Sequence, residues 1–353
     1  MTRLTLILPA LAFAALAHAQ QTPPPQPPLL GCGPHGDYEV LCGTRSPEDL
    51  EVAPDGKHLI VSEYVSFRGG TGGGFSLFDP TKKTFTKVAI TNDPRKDWGD
   101  TTCPGPPGDA LAPHGISLSR RTPGKVEQLY VVNHGGRESI EMFEVKQAAG
   151  PLSLVWHGCV VSTKDFNDVA ALANAGFYAT HPTALQISGT NLFSGQPSGW
   201  VSSWMPGKGE AELPGTRQGY PNGVIATPDG RTMYFNAWTA KEVHKYDVAS
   251  GKESGMVKLD FMPDNLTWTK KGRILAAGVK GARGDCPAGS GTPCLQAFAV
   301  ADIDPATMKA ETVFDSEGKG ALIAGVSVAL QMGNSIYIGA FQGDRLLKIP
   351  FKK

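Results

Sequence analysis

At 353 residues, with Lys plus Arg equal to Asp plus Glu at 33 each, the chain carries no net charge that would recruit nucleic acid or an anionic membrane. Gly at 43 and Pro at 28 are both high, and 41% hydrophobic residues exclude a disordered chain. Many short strands joined by tight turns fit this balance, and all-β folds of this length commonly form one domain.

Residues 1–19 give a basic start at Arg3, an apolar run from Leu4 to Leu16 and then Ala17-His18-Ala19. That order is the pattern of a secretory signal peptide cut after Ala19. The apolar run is shorter than the ~18 residues a membrane span needs. The expected product is secreted or periplasmic, with no membrane span after cleavage. Residues 20–30 form a proline-rich spacer that cannot join a sheet interior. Residues 31–353 are expected to form a single domain.

Export permits disulfides. The cysteines are Cys32, Cys42, Cys103, Cys159, Cys286 and Cys294, and their connectivity is open from sequence. Short loops favour Cys32–Cys42 and Cys286–Cys294, which would leave Cys103–Cys159. No C-x-x-C spacing occurs, so stapling is expected rather than zinc.

From Pro47 onward one pattern recurs: a polar pair, an apolar strand, a tight turn and a second apolar strand. It starts at Pro47 (PEDLEVAPDGKHLIVSEY), Pro113, Phe166, Pro221, Pro263 and Gly325. Pro54–Gly56 and Pro228–Gly230 are hairpin turns in which glycine takes a positive φ, and Gly272 and Gly333 occupy the same place in other copies. Third strands are expected at Gly74–Phe78, Ser139–Val145, Trp200–Met205, Glu242–Asp247, Leu295–Ala301 and Arg345–Phe351. Units of this size and content are propeller blades, and the count predicts an all-β, six-bladed β-propeller. Tyr38–Cys42 is expected to pair with the last blade and close the ring. Asn92–Ala112 reads as the longest irregular piece, a candidate binding loop before His114.

Innermost strands run side by side around a propeller's channel, so equivalent positions converge there. The polar pairs are Glu48-Asp49, His114-Gly115, Asn167-Asp168, Asn222-Gly223, Asp264-Asn265 and Val326-Ser327. Glu48, Asn167, Asn222, Asp264 and Asn265 would bring two carboxylates and three amide oxygens to one place. An all-oxygen set without thiols suits a hard cation, and calcium accepts six to eight such ligands in loose geometry. Asp49 and Asp168 could hold a second ion one layer deeper. His114 shares this register, and His134 ends the strand Gln128–Asn133 in the same hairpin. Two histidines beside a metal suggest proton transfer. His181 is a weaker candidate for lining the mouth. His18, His35, His58, His157 and His244 read by default as structural hydrogen-bonding groups.

The runs PEDLEV, PHGIS, LYVVNH, FNDVAAL with FYAT, PNGV with TPDG, and PDN resemble, in this order, the paraoxonase/arylesterase family of six-bladed propeller lactonases. Gluconolactonase-like and strictosidine-synthase-like propellers share the fold with different site residues. The resemblance implies a catalytic calcium on Glu48, Asn167, Asn222, Asp264 and Asn265, a structural calcium near Asp49 and Asp168, and a His114–His134 dyad. It implies hydrolysis of lactones and aryl esters. Two departures stand out: His181-Pro182-Thr183 replaces the family's Asn-Asp-His run, and the chain end IPFKK lacks the family's cysteine. A gluconolactonase-like sugar lactonase and a non-catalytic, calcium-stabilised binding propeller are the alternatives. Trp98, Trp200 and Trp238 favour an apolar acyl or aryl substrate over a sugar.

Overall fold

The computed structural model describes residues 28–65, 72–147, 151–185, 194–281 and 295–351. The signal peptide, most of the spacer and the Cys286–Cys294 pairing lie outside the described residues. Six sheets, each of four or five strands, form the described part. Their innermost strands are Pro47–Val52, Pro113–Arg121, Val169–Ala171, Pro221–Ala226, Met262–Trp268 and Val326–Met332. Each neighbours the next, and the sixth returns to the first, so the sheets form a closed six-bladed propeller.

The hairpin turns form where the sequence places them. In blade one, Ala53 N donates to His58 O at 2.9 Å and Gly56 adopts φ +67°. Asp55 Oδ1 accepts from the Lys57 and His58 amides at 2.8 and 3.2 Å, the side-chain closure that makes Asp-Gly a turn signal. The third strands match expectation with one shift: Phe298–Ile303 replaces Leu295–Ala301 in blade five.

Alternation along each strand builds the core. Successive side chains point to opposite faces of a sheet, so each blade feeds the apolar layers on both of its sides. In Val126–Asn133, Leu129 and Val131 enter the layer shared with blade one, beside Phe75 and Ile60. Tyr130 and Val132 enter the layer shared with blade three, beside Phe177 and Trp204. Ile274 and Ala276 likewise face blade four, while Leu275 and Ala277 face blade six. Burying one such leucine or isoleucine contributes about 1.5–3 kcal/mol, so each interface is held by several side chains of that worth.

The ring closes as the sequence predicts. Tyr38–Cys42 pairs with Arg345–Pro350, setting Val40 opposite Leu347. Cys32–Cys42 ties the preceding Gly33–His35 strand to it. The second bridge, Cys103–Cys159, pins the long loop to the strand Ser153–Val161 of blade two. That loop is irregular as its sequence suggests, apart from one short 3-10 turn at Gly108–Ala110, and the surprise lies just before it. Ala89–Asn92 is a strand pairing in parallel with Ser153–Val161, so blade two has five strands and takes its outermost from the segment leaving blade one.

Candidate functional site

The polar pairs arrive at one end of the channel because each starts, or directly precedes, an innermost strand. Adjacent inner strands approach closely at two of them. A Cβ on Gly223 would lie 2.4 Å from Asp264 O, and one on Gly115 would lie 2.3 Å from Asp168 Oδ1. Glycine at these places lets neighbouring blades bring their polar side chains together.

Glu48 and Asn265, 217 positions apart in sequence, are in direct contact: Asn265 Nδ2 donates to Glu48 Oε1 at 2.9 Å. Ser327 Oγ donates to the Glu48 carbonyl at 2.5 Å, tying blade six to blade one beside them. The Asn222 side chain hydrogen-bonds Asp264, joining blades four and five. Asn167 enters through the backbone contact of its segment with Gly115. All five side chains are buried. Four of their oxygens, Glu48 Oε2, Asn167 Oδ1, Asn222 Oδ1 and Asn265 Oδ1, have no hydrogen-bond partner. Buried acceptors without partners are costly, and a cation is the group that would satisfy several at once. Among the described residues no three His, Cys, Asp or Glu side chains form a metal cluster, so the donor set rests on its amides.

Electrostatics points the same way. Burial, then the charges of Asp49, Asp264 and Asp168, push the Glu48 carboxyl well above its ordinary range. Burial lifts Asp264 to about 8 against the Asn222 bond. A positive ion among these groups would favour the ionised carboxylates and so offset both shifts.

Asp49 and Asp168 lie in the next layer, and each staples two strands. Asp49 accepts from the Leu50 and Ile116 amides, both at 2.8 Å. Asp168 accepts from Val169 and Val224, both at 2.7 Å. Every carboxylate oxygen of the pair thus holds one backbone N–H and retains a second lone pair. Burial raises Asp49 to about 7; burial and then the Asp49 charge raise Asp168.

The two histidines meet. His114 Nδ1 lies 3.0 Å from His134 Nε2, and His114 Nε2 lies 3.6 Å from Glu48 Oε1. The Tyr64 ring packs on His114 with centroids 4.7 Å apart. Burial, then the neighbouring His134 charge, holds the His114 pKa well below its ordinary value. A neutral imidazole is thereby presented to the oxygen cluster. Sequence reasoning missed Glu138, whose carboxylate oxygens lie 3.0 and 2.9 Å from His134 Nδ1. Its spacing of four residues after His134 across Gly135-Gly136 was the available signal.

His181 does not serve as a mouth residue in this structure. It is buried, with Nδ1 3.0 Å from Asp165 O and Nε2 2.8 Å from Glu210 Oε1, so both ring nitrogens hold blade three together. His157 lies between Asp93 O and Glu144, and His244 between Glu242 and Glu253. Trp98 packs on Arg121, at the far end of the strand from His114, and on His157. Trp200 faces His181 and Arg217. Trp238 does reach the site's surroundings, in a buried cluster with Tyr220, Met262 and Val279. Tyr220 and Met262 each stand two positions before a polar-pair residue, Asn222 and Asp264.

Among solved structures, luciferin-regenerating enzyme shares this architecture. It is 12% identical, with a TM-score of 0.52, over 89% of this chain and 95% of that one. A Thermus thermophilus protein assigned as an oxidoreductase of the glucose dehydrogenase type is 15% identical, with a TM-score of 0.49, over 88% of this chain and 99% of that one. The family model described as SMP-30/Gluconolactonase/LRE-like region matches residues 109–291, just over half of the chain and the stretch carrying His114, His134, Asn167, Asn222, Asp264 and Asn265. On that match the chain belongs to the SMP-30/gluconolactonase/LRE-like family.

Proposed function

We propose that this propeller is a calcium-dependent hydrolase that opens lactones and cleaves aryl esters, of the kind the paraoxonase/arylesterase resemblance implies. The observation that carries the reading is the set of four unpartnered oxygens from Glu48, Asn167, Asn222 and Asn265, gathered with Asp264 beside a paired His114–His134. Family membership supports a lactone as the substrate class. Glu48, Asn167, Asn222, Asp264 and Asn265 would hold one ion, and Asp49 and Asp168 a second, structural one.

When bound, the first ion would supply Lewis-acid polarisation of the substrate carbonyl and offset the negative charge that develops there. The chain's own residues do the rest. His114, kept neutral, takes a proton from the attacking water at Nε2, the nitrogen on the Glu48 side. Its Nδ1 remains bonded to His134, which spreads the positive charge over two rings. Ring opening then releases a hydroxy acid. Tyr220, Trp238, Met262 and Val279 exclude water along the blade-four and blade-five side and suit an apolar acyl or aryl group.

The family match favours one second reading, a gluconolactonase-like sugar lactonase. A single screen separates the two: N-acyl homoserine lactones, δ-lactones, phenyl acetate and gluconolactone, each with calcium and with EDTA. Hydrolysis of the apolar substrates, lost in EDTA and restored by calcium, is expected. Turnover of gluconolactone alone would select the sugar lactonase. Calcium-stabilised binding with no hydrolysis would leave a non-catalytic propeller.

A further inference from the structure

Three titratable groups stand in a row leading away from the oxygen cluster: His114, His134 and Glu138. We propose that Glu138 is a positioning residue that fixes the tautomers of both histidines, so that the basic nitrogen of the neutral pair is His114 Nε2. The inference rests on the hydrolase reading for its purpose and on the hydrogen-bond geometry for its content.

A carboxylate accepts hydrogen bonds and cannot donate them. With both Glu138 oxygens within 3.0 Å, His134 Nδ1 must carry the proton. A neutral His134 then has its lone pair on Nε2, which accepts from His114 Nδ1 at 3.0 Å. His114 in turn has its remaining lone pair on Nε2, the nitrogen nearest Glu48. One carboxylate thus orders two rings, and the reverse order would set a lone pair against the negative charge. Once His114 gains a proton at Nε2, its Nδ1 proton can pass to His134. Glu138 is then the counter-charge beside the second ring.

Glu138 is built for this. Asn133 braces the turn that carries it: Nδ2 donates to Gly135 O and Arg137 O, both at 3.1 Å, and Oδ1 accepts from Ala112 N and Gly135 N at 2.9 and 3.2 Å. A Cβ on Gly135 would lie 1.5 Å from Ala110 O, so the turn sits directly on the loop before His114. The Glu138 carbonyl accepts from Ser162 N at 3.0 Å, and Oε2 lies 3.4 Å from the Phe166 amide. The His134 side chain is fully buried and that of Glu138 is 25% exposed, so the row ends at solvent.

The test is nitrogen NMR of histidine-labelled, chelated protein at pH 8, together with steady-state kinetics of the calcium-loaded enzyme. Wild type should show His134 protonated at Nδ1 and His114 protonated at Nδ1. Glu138→Ala should give mixed tautomers at both rings and lower kcat by about 10–100-fold, with KM within about twofold. Glu138→Asp should restore the order in part. A wild-type His134 protonated at Nε2 overturns the proposal, whether or not the variants fold. So does a Glu138→Ala protein whose tautomers and kcat match wild type. Absence of any hydrolysis by wild type would defeat the hydrolase reading alone, because the tautomer order is read without substrate.

Discussion

Replacing Gly115 by alanine tests whether close approach of blades two and three is what brings the site together. The new methyl would sit 2.3 Å from Asp168 Oδ1, 2.7 Å from Asp168 Cα and 2.9 Å from Asn167 O. Asp168 cannot step aside cheaply, since its two oxygens hold the Val169 and Val224 amides at 2.7 Å. Overpacking costs about 1–3 kcal/mol. Losing one buried hydrogen bond to a carboxylate adds about 1.5–3 kcal/mol. The expected destabilisation is therefore about 2.5–6 kcal/mol, or roughly 4–9 °C in Tm for a chain of this size. Urea denaturation followed by tryptophan fluorescence, run in EDTA so that no ion compensates, measures it. Gly74→Ala is the control, since its Cβ would meet nothing within 4 Å. A Gly115→Ala protein as stable as the control would refute the packing argument, and with it the account of how Asn167 and Asp168 reach the channel.

Replacing His114 by Gln should lower lactone turnover by about 10²–10⁴, the range of a lost general base, with the circular dichroism spectrum unchanged; wild-type turnover would remove the pair from the mechanism. Chelated protein should lose stability as pH rises. Burial makes Asp49 and Asp264 hold protons up to about 7 and 8 when folded, so folding takes up protons, and its free energy weakens between the ordinary carboxylate range and pH 8. Calcium should flatten that slope; melting curves at pH 5, 6.5 and 8 with and without EDTA check the sign. Replacing Cys103 and Cys159 together by serine should cost about 4 kcal/mol, from a bridge closing a 56-residue separation. An unchanged urea midpoint for that double variant would show that strand pairing alone holds the long loop.

The architecture was legible because each blade repeats a local signal. The Pro-Asp-Gly turns and alternating strands specify hairpins, and six polar pairs at matching places specify convergence. The closing strand Tyr38–Cys42 could be placed because a ring requires one. Ala89–Asn92 was missed for a physical reason: AITN is exposed throughout, shows no alternation, and pairs in parallel with a strand more than 60 positions away. His181 misled because strand periodicity does not say which way a residue at a strand end turns, and here Glu210 on the outermost strand captures it. Glu138 escaped notice because its partner lies across a two-glycine turn, where no helical or strand period applies.

Tyr38–Cys42 is seated in a sheet otherwise made mostly from the chain's last strands. An early segment must therefore wait for the final one before the circle shuts, while the oxygen donors come from blades one, three, four and five. Until that pairing forms, these residues lie on a ring that is still open. On the proposed calcium reading, tight ion capture should appear only once this closing pairing has formed, instead of growing blade by blade.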